Sequence, residues 1–225
     1  MRTLASRIAS NTGLPCMGPR CPRTRYGASR YCRKCRHANT THGSPNGRKI
    51  AKTEYRGDRN AVEQLLAKHG DHEGVRIAER WIAEWIKKAA EARPQTPAQA
   101  ALIRLFRQAV EPRSILVEAA AVWSFATRNP HSLPDDMRLT MALGTAIAHV
   151  VPTQFLYEHK GCYRYKRVAP TAKRDIGVSI RQTLGLLLVR IAEGVADKER
   201  RTQQQRHETT AALGSPFSHS ITDKE

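Results

Sequence analysis

Four of the five cysteines fall within twenty residues, as Cys16 and Cys21 and then Cys32 and Cys35. The spacing is C-x4-C, ten residues, then C-x2-C, and it constrains the N-terminal fold more than any other feature. Zn²⁺ favours four soft ligands at the corners of a tetrahedron, and two cysteine pairs across a short loop supply that set. Gly18 and Pro19 allow a tight turn within the first pair, and Cys32 and Cys35 fit the first turn of a helix, where an i,i+3 pair shares one face. A complete set of four thiolates leaves no open position for water, so the predicted Zn²⁺ is structural rather than catalytic. Reduced cysteines binding nothing, and a three-cysteine, one-histidine set using His37 or His42, are the variants. Paired thiols at this spacing point to a reducing compartment and to a cytoplasmic location. The acid-poor, Arg- and Ser-containing start also admits a transit peptide.

Positive charge surrounds the cysteines. From Pro15 to Pro45 the chain contains no acidic residue. The net charge is +18, and residues 1–60 hold 14 Lys+Arg against 2 acids. Such a balance implies a polyanionic partner, with nucleic acid foremost and DNA before RNA. The expected phosphate contacts on this module are Arg23, Arg25, Arg30, Arg33, Lys34 and Arg36. No run approaches the roughly 18 apolar residues of a membrane-spanning helix, so no membrane partner is expected.

Beyond the cysteines the reading is mainly α. Residues 1–47 form the basic zinc-finger module and 48–58 a basic linker rich in Gly, Pro and Lys/Arg. Residues 59–200 form a domain of five or six helices, and 201–225 a polar, disordered tail. Asp58 and Asp71 are predicted helix caps, as are Thr96 and Asp135. Apolar residues recur at helical spacing, as in Ala78, Trp81, Ile82, Trp85, Ile86 and Ala89, and again in Ile176, Ile180, Leu184, Leu188, Ile191 and Val195. The two tryptophans therefore read as core, not as base-stacking platforms. Ala142, Gly144, Ala146 and Ala148 promise close approach of a neighbouring helix.

Near 153–168 the pattern changes to alternating aromatic and polar residues around His159-Lys160-Gly161, which predicts a short β-hairpin. Lys160, Tyr163, Arg164, Lys166 and Arg167 make it a second expected nucleic-acid contact. No phosphate loop, nucleophile elbow or pair of carboxylates on an apolar background accompanies it. His149 reads as a core histidine.

A knuckle, a short hairpin through Tyr26-Gly27 and a helix carrying the second cysteine pair follow the order of a treble-clef finger. The run Tyr31–Pro45, YCRKCRHANTTHGSP, resembles the C-terminal half of small treble-clef fingers of phage and mobile-element proteins. These end, as here at His42, Gly43, Ser44 and Pro45, on His-Gly-x-Pro. The sequence departs from them in the milder Ala38, Asn39, Thr40 and Thr41. The resemblance covers about thirty residues and implies a DNA-binding accessory or regulatory protein. Some such fingers accompany HNH-type nucleases, which makes a metal-dependent nuclease using His37 or His42 the alternative. A third reading is an adaptor in which the finger docks a protein partner and the helical domain assembles with itself.

Overall fold

The computed structural model describes residues 3–93, 96–151, 155–159, 162–165 and 167–214. The chain is mainly helical. Two short helices, α1 (Leu4–Asn11) and α2 (Arg33–His42), belong to the cysteine module. Six more form the body: α3 (Arg56–Lys68), α4 (Glu73–Glu91), α5 (Pro97–Arg107), α6 (Pro112–Arg128), α7 (Asp136–Ala148) and α8 (Pro170–Gly214). Between α7 and α8 the backbone of β1 (Phe155–His159) runs antiparallel to β2 (Cys162–Tyr165), pairing Glu158 with Tyr163 and His159 with Cys162. Among the described residues no helix is long and apolar enough to cross a membrane.

Helix α6 is the centre of the body. Ile115, Leu116, Ala119 and Ala120 are fully shielded from solvent, and burial is unbroken from Ile115 to Val122. A helix apolar on every side must be surrounded, and α3, α4, α7 and α8 all pack on this one. The helical spacing of Ile115, Leu116, Ala119, Val122, Trp123 and Ala126 predicts a single buried face here, so the central position of α6 is a finding of the structure. Helix α4 keeps the predicted stripe: Val75, Ala78, Ile82, Ile86 and Ala89 are buried. Trp81 and Trp85 stack at 5.2 Å between ring centroids and pack, half-buried, against the core. Helices α7 and α8 approach most closely at two glycines. A Cβ on Gly144 would overlap the carbonyl oxygen of Lys173, and one on Gly177 that of Thr140.

The capping residues were partly foreseen. Thr96 forms a capping box with Gln99, and the Asp135 carboxylate accepts a hydrogen bond from the Arg138 N–H at 2.8 Å. Asp71 is displaced by His72, whose Nδ1 accepts from the Gly74 N–H at 3.1 Å. Asp58 is not a cap either. It lies inside the first turn of α3, only 1 % exposed, in an ion pair with Arg128 at 2.5 Å. Arg128 also holds Glu199, so this one guanidinium joins α3, α6 and α8. Burial outweighs the Arg128 charge and raises the Asp58 pKa above the usual aspartate value.

The segment read as a linker is fastened down. Tyr55 is buried, and its hydroxyl donates to the Glu118 carboxylate of α6 at 3.1 Å. Arg59 donates to the same carboxylate at 3.0 Å, and Lys52 lies 3.5 Å from it. Further upstream, Arg48 grips Glu54 through two hydrogen bonds of 2.7 and 2.6 Å. The predicted end of the last helix near residue 200 is also revised. Helix α8 continues to Gly214, its residues from Arg200 to Thr210 exposed. Local bonds sustain this overhang, including Gln204 to Glu208 and the Thr202 hydroxyl to the Lys198 carbonyl.

Candidate metal centre and its basic surface

All four predicted cysteines converge. Their sulfurs lie within 4.8 Å of one another, and Cys16, Cys32 and Cys35 are buried. The Cys21 and Cys32 sulfurs are 3.8 Å apart. Zn–S bonds of about 2.3 Å would place tetrahedral thiolates about 3.8 Å from one another, so the cluster fits a four-coordinate metal. It forms a buried group of its own, separate from the helical core, with Tyr31 packed against it.

Local geometry explains why the sulfurs meet. An isolated antiparallel bridge joins Pro15 to Thr24, and the Cys16 N–H donates to the Arg23 carbonyl at 2.8 Å. Gly18 sits where a Cβ would lie 2.8 Å from the Cys35 sulfur, so no side chain fits there. The Cys21 N–H closes the turn onto the Gly18 carbonyl at 3.1 Å, with Arg20 held at a left-handed φ of 54°. Cys32 is the N-cap of α2: its sulfur accepts from the Cys35 N–H at 3.4 Å. That N–H is the main reason the Cys32 thiol is pulled down to about 6, while burial pushes the Cys35 thiol up to about 12. The Cys16 sulfur accepts from the N–H groups of Gly18 at 3.3 Å and Cys32 at 3.1 Å. Backbone donors aimed at sulfur stabilise the thiolate form that a metal requires.

The module is braced at both ends. Asn11 of α1 donates to the Gly27 carbonyl at 3.0 Å and accepts from Arg25 at 3.1 Å. Gly43 ends α2 with φ 79°, and a Cβ there would lie 2.8 Å from the Met137 carbonyl oxygen. The glycine of the His-Gly-Ser-Pro run thus serves both a left-handed cap and the contact between the module and α7.

The predicted nucleic-acid contacts divide. Arg23, Arg30, Arg33, Lys34 and Arg36 are exposed, and among the described residues none has an ion-pair partner. Arg20, Arg23 and Lys34 border a shallow groove beside the cluster. Arg25 is different: half-buried, it spends its guanidinium on the Pro15 carbonyl at 3.1 Å and on Asn11. Arg167 is exposed at the approach to α8. Lys160 and Lys166 lie outside the described residues, and at Tyr163 and Arg164 the backbone alone is described.

His37 is exposed, whereas His42 is half-buried at the end of α2. Among the described residues the four cysteines are the only group of three or more Cys, His, Asp or Glu side chains close enough to share a metal. Burial, and then the nearby charges of Lys173 and Arg138, hold His42 below the usual histidine pKa. His149 is lowered for the same first two reasons, burial and Lys173, and its Nδ1 lies 2.8 Å from the Thr145 carbonyl oxygen. The sequence assigns His149 no chemistry, counts Lys49 in the basic linker and Lys173 in the basic segment that includes the hairpin, and does not single out Arg138. Nothing local marks them as a group, since they come from three separated segments: the stretch before α3, helix α7 with its C-cap, and α8.

No family model matches this chain, and neither a curated protein nor a solved structure does.

Proposed function

We propose that the chain is a zinc-dependent nucleic-acid-binding protein, with DNA the preferred partner, acting as an accessory or regulatory factor. Zn²⁺ held by Cys16, Cys21, Cys32 and Cys35 fixes a treble-clef-like finger, and the finger's exposed cations engage phosphates. The observation that carries this reading is the set of Arg23, Arg30, Arg33, Lys34 and Arg36, solvent-facing beside the cluster and without acidic partners among the described residues. Arginine and lysine in that state are ready to displace counterions from a polynucleotide. A phage or mobile-element setting rests on the finger's sequence resemblance alone.

The test is fluorescence anisotropy of duplex and single-stranded DNA with zinc-loaded protein at increasing salt. Each phosphate neutralised contributes a slope of about −0.9 in log K against log salt on duplex, so steep weakening is expected. Binding that ignores salt, or that survives metal removal unchanged, overturns the proposal.

A further inference from the structure

Where the finger rests on the helical body, the surfaces enclose a cavity of about 190 Å³. Ile50, Val122, Leu133 and Met141 give it an apolar floor, while His42, Arg48, Lys49, Lys52, Arg138 and His149 supply cationic or imidazole groups. Two of those charges are already answered, Arg48 by Glu54 and Lys52 by Glu118. Lys49 and Arg138 have no ion pair among the described residues, nor does Lys173, whose charge reaches both histidines. Among the described residues the acids near the cavity are Glu54 and Glu118, both engaged, and Asp135, which caps α7.

Arg138 is the most telling member. It is only 9 % exposed, it lines the cavity, and its Nε is buried without a hydrogen-bond partner. Arg104 is equally buried and its Nε also lacks a partner, but its Nη2 donates to the carbonyls of Ala148 at 3.2 Å and Val151 at 3.4 Å, whereas no side-chain hydrogen bond of Arg138 is seen among the described residues. A guanidinium Nε taken from water with no acceptor is costly, and Asp135, the acid whose charge reaches Arg138, is already engaged as the cap of α7. An anion in the cavity would receive it. Lys173 does not line the cavity, but burial and the charge of Lys49 lower its pKa, so it adds to the positive field beside it.

We propose that this cavity binds a phosphate monoester group. Arg138 would take the phosphate oxygens through its planar fork, Lys49 would offset the charge of the dianion, and His42 would donate an N–H from the rim. The apolar floor accepts the organic part that carries the phosphate. Two sources share this chemistry, a free nucleotide and the phosphorylated end of a nucleic-acid strand. The site stands without the nucleic-acid reading, because its cations are not those of the exposed finger surface. Since Thr41 and His42 close one side and α7 the other, the bound group would also clamp the finger to the body.

Isothermal titration of the zinc-loaded full chain with a deoxynucleoside 5′-monophosphate, the matching nucleoside and inorganic phosphate tests the proposal. Binding of the monophosphate and of phosphate is expected, with none of the nucleoside. Arg138→Gln should weaken the monophosphate by about tenfold or more, as loss of a charge-assisted hydrogen bond requires. Lys49→Gln, on an exposed side chain whose loss leaves the core intact, should weaken it as well. The paired variant Arg33→Gln with Lys34→Gln should leave monophosphate affinity unchanged while reducing affinity for DNA. Tighter binding of a 5′-phosphorylated than of a 5′-hydroxyl oligonucleotide supports the site with a strand end as the source. Equal binding of the two, with monophosphate binding retained, supports it with a free nucleotide. Absence of heat with both phosphate and the monophosphate, or equal affinity in wild type, Arg138→Gln and Lys49→Gln, overturns it.

Discussion

The finger and the helical body are stabilised by opposite means. The finger's buried side chains are three cysteines, with Tyr31 and Cys21 against them. The body has a continuous apolar core from Tyr55 to Val195. A segment as short as the finger cannot bury enough apolar surface to offset the entropy of ordering it, and the metal proposed at its four cysteines would make up the difference. The body needs no such clamp. The contrast teaches where charge is tolerated: the finger carries its cations outside a compact sulfur centre, whereas the body buries Asp58 and Glu118 only with cationic partners.

The largest effect should come from removing the metal. Structural zinc contributes on the order of 10 kcal/mol to folding of small finger modules, and nothing in this finger replaces it. Chelation, or Cys35→Ser, should open residues 14–42 to limited proteolysis. The far-UV circular dichroism should fall only slightly, because α3 to α8 hold most of the helix. A body that unfolded together with the finger would break the comparison.

Next comes the converse, Leu116→Ala at the centre of α6. Leu116 is fully buried, and loss of such a side chain costs about 2–5 kcal/mol through transfer and cavity terms. Urea denaturation should show that loss in the helical transition, with the metal content of the native protein unchanged. A simultaneous drop in bound metal would mean that the two regions fold as one unit.

What was legible in the sequence follows the same division. Cysteine spacing marks all four sulfurs because metal ligation depends on residue type and short-range separation. Helical periodicity marks α4 and the buried part of α8 because each presents a single apolar stripe to the core. The central role of α6 was hidden, since its apolar spacing reads as one face while the buried Val117, Ala120 and Ala121 on its other sides add no periodic signal. Asp58 was misread as a cap because its identity suits both a helix start and a buried ion pair, and only Arg128, seventy residues later, decides. Arg138, His149 and Lys173 could not be associated at all without the packing of α7 on α8. The continuation of α8 past residue 200 depends on weak i,i+4 bonds that an apolar pattern does not register.

A smaller effect concerns the seam between the two regions and is read through pH. Glu54 is held at about 2, against an ordinary glutamate value of 4.5, first by its hydrogen bonds from Arg48 and then by the Ala51 N–H. Its folded pKa is depressed, so its stabilisation is complete above the unfolded pKa and disappears as pH falls from about 4.5 toward 2. Asp58, raised by burial, has the opposite sign: protonation as pH falls relieves a cost of burying its charge. Stability curves of wild type against Glu54→Gln should therefore converge on acidification. Those of wild type against Asp58→Asn should shift in favour of wild type. Parallel slopes for the two pairs would show that the segment from Arg48 to Asp58 is not seated as described.

The smallest effects should separate two arginines within the finger itself. Arg33 is exposed, carries no ion pair among the described residues and supports nothing in the fold. Arg33→Gln is expected to change stability by no more than about 0.5 kcal/mol and to reduce the salt slope of DNA binding by about one unit. Arg25 is half-buried and links the Pro15 carbonyl to Asn11, which in turn holds the Gly27 carbonyl. Arg25→Gln should cost about 1–3 kcal/mol, as loss of a hydrogen-bonded charged group does, with weaker DNA binding following from a loosened finger. Thermal melting beside salt-dependent anisotropy resolves them: Arg33 should move the slope alone and Arg25 the melting temperature first. The reverse outcome would place Arg25 on the binding surface and Arg33 in the finger's scaffold, and the division between sulfur-centred frame and cationic exterior would have to be redrawn.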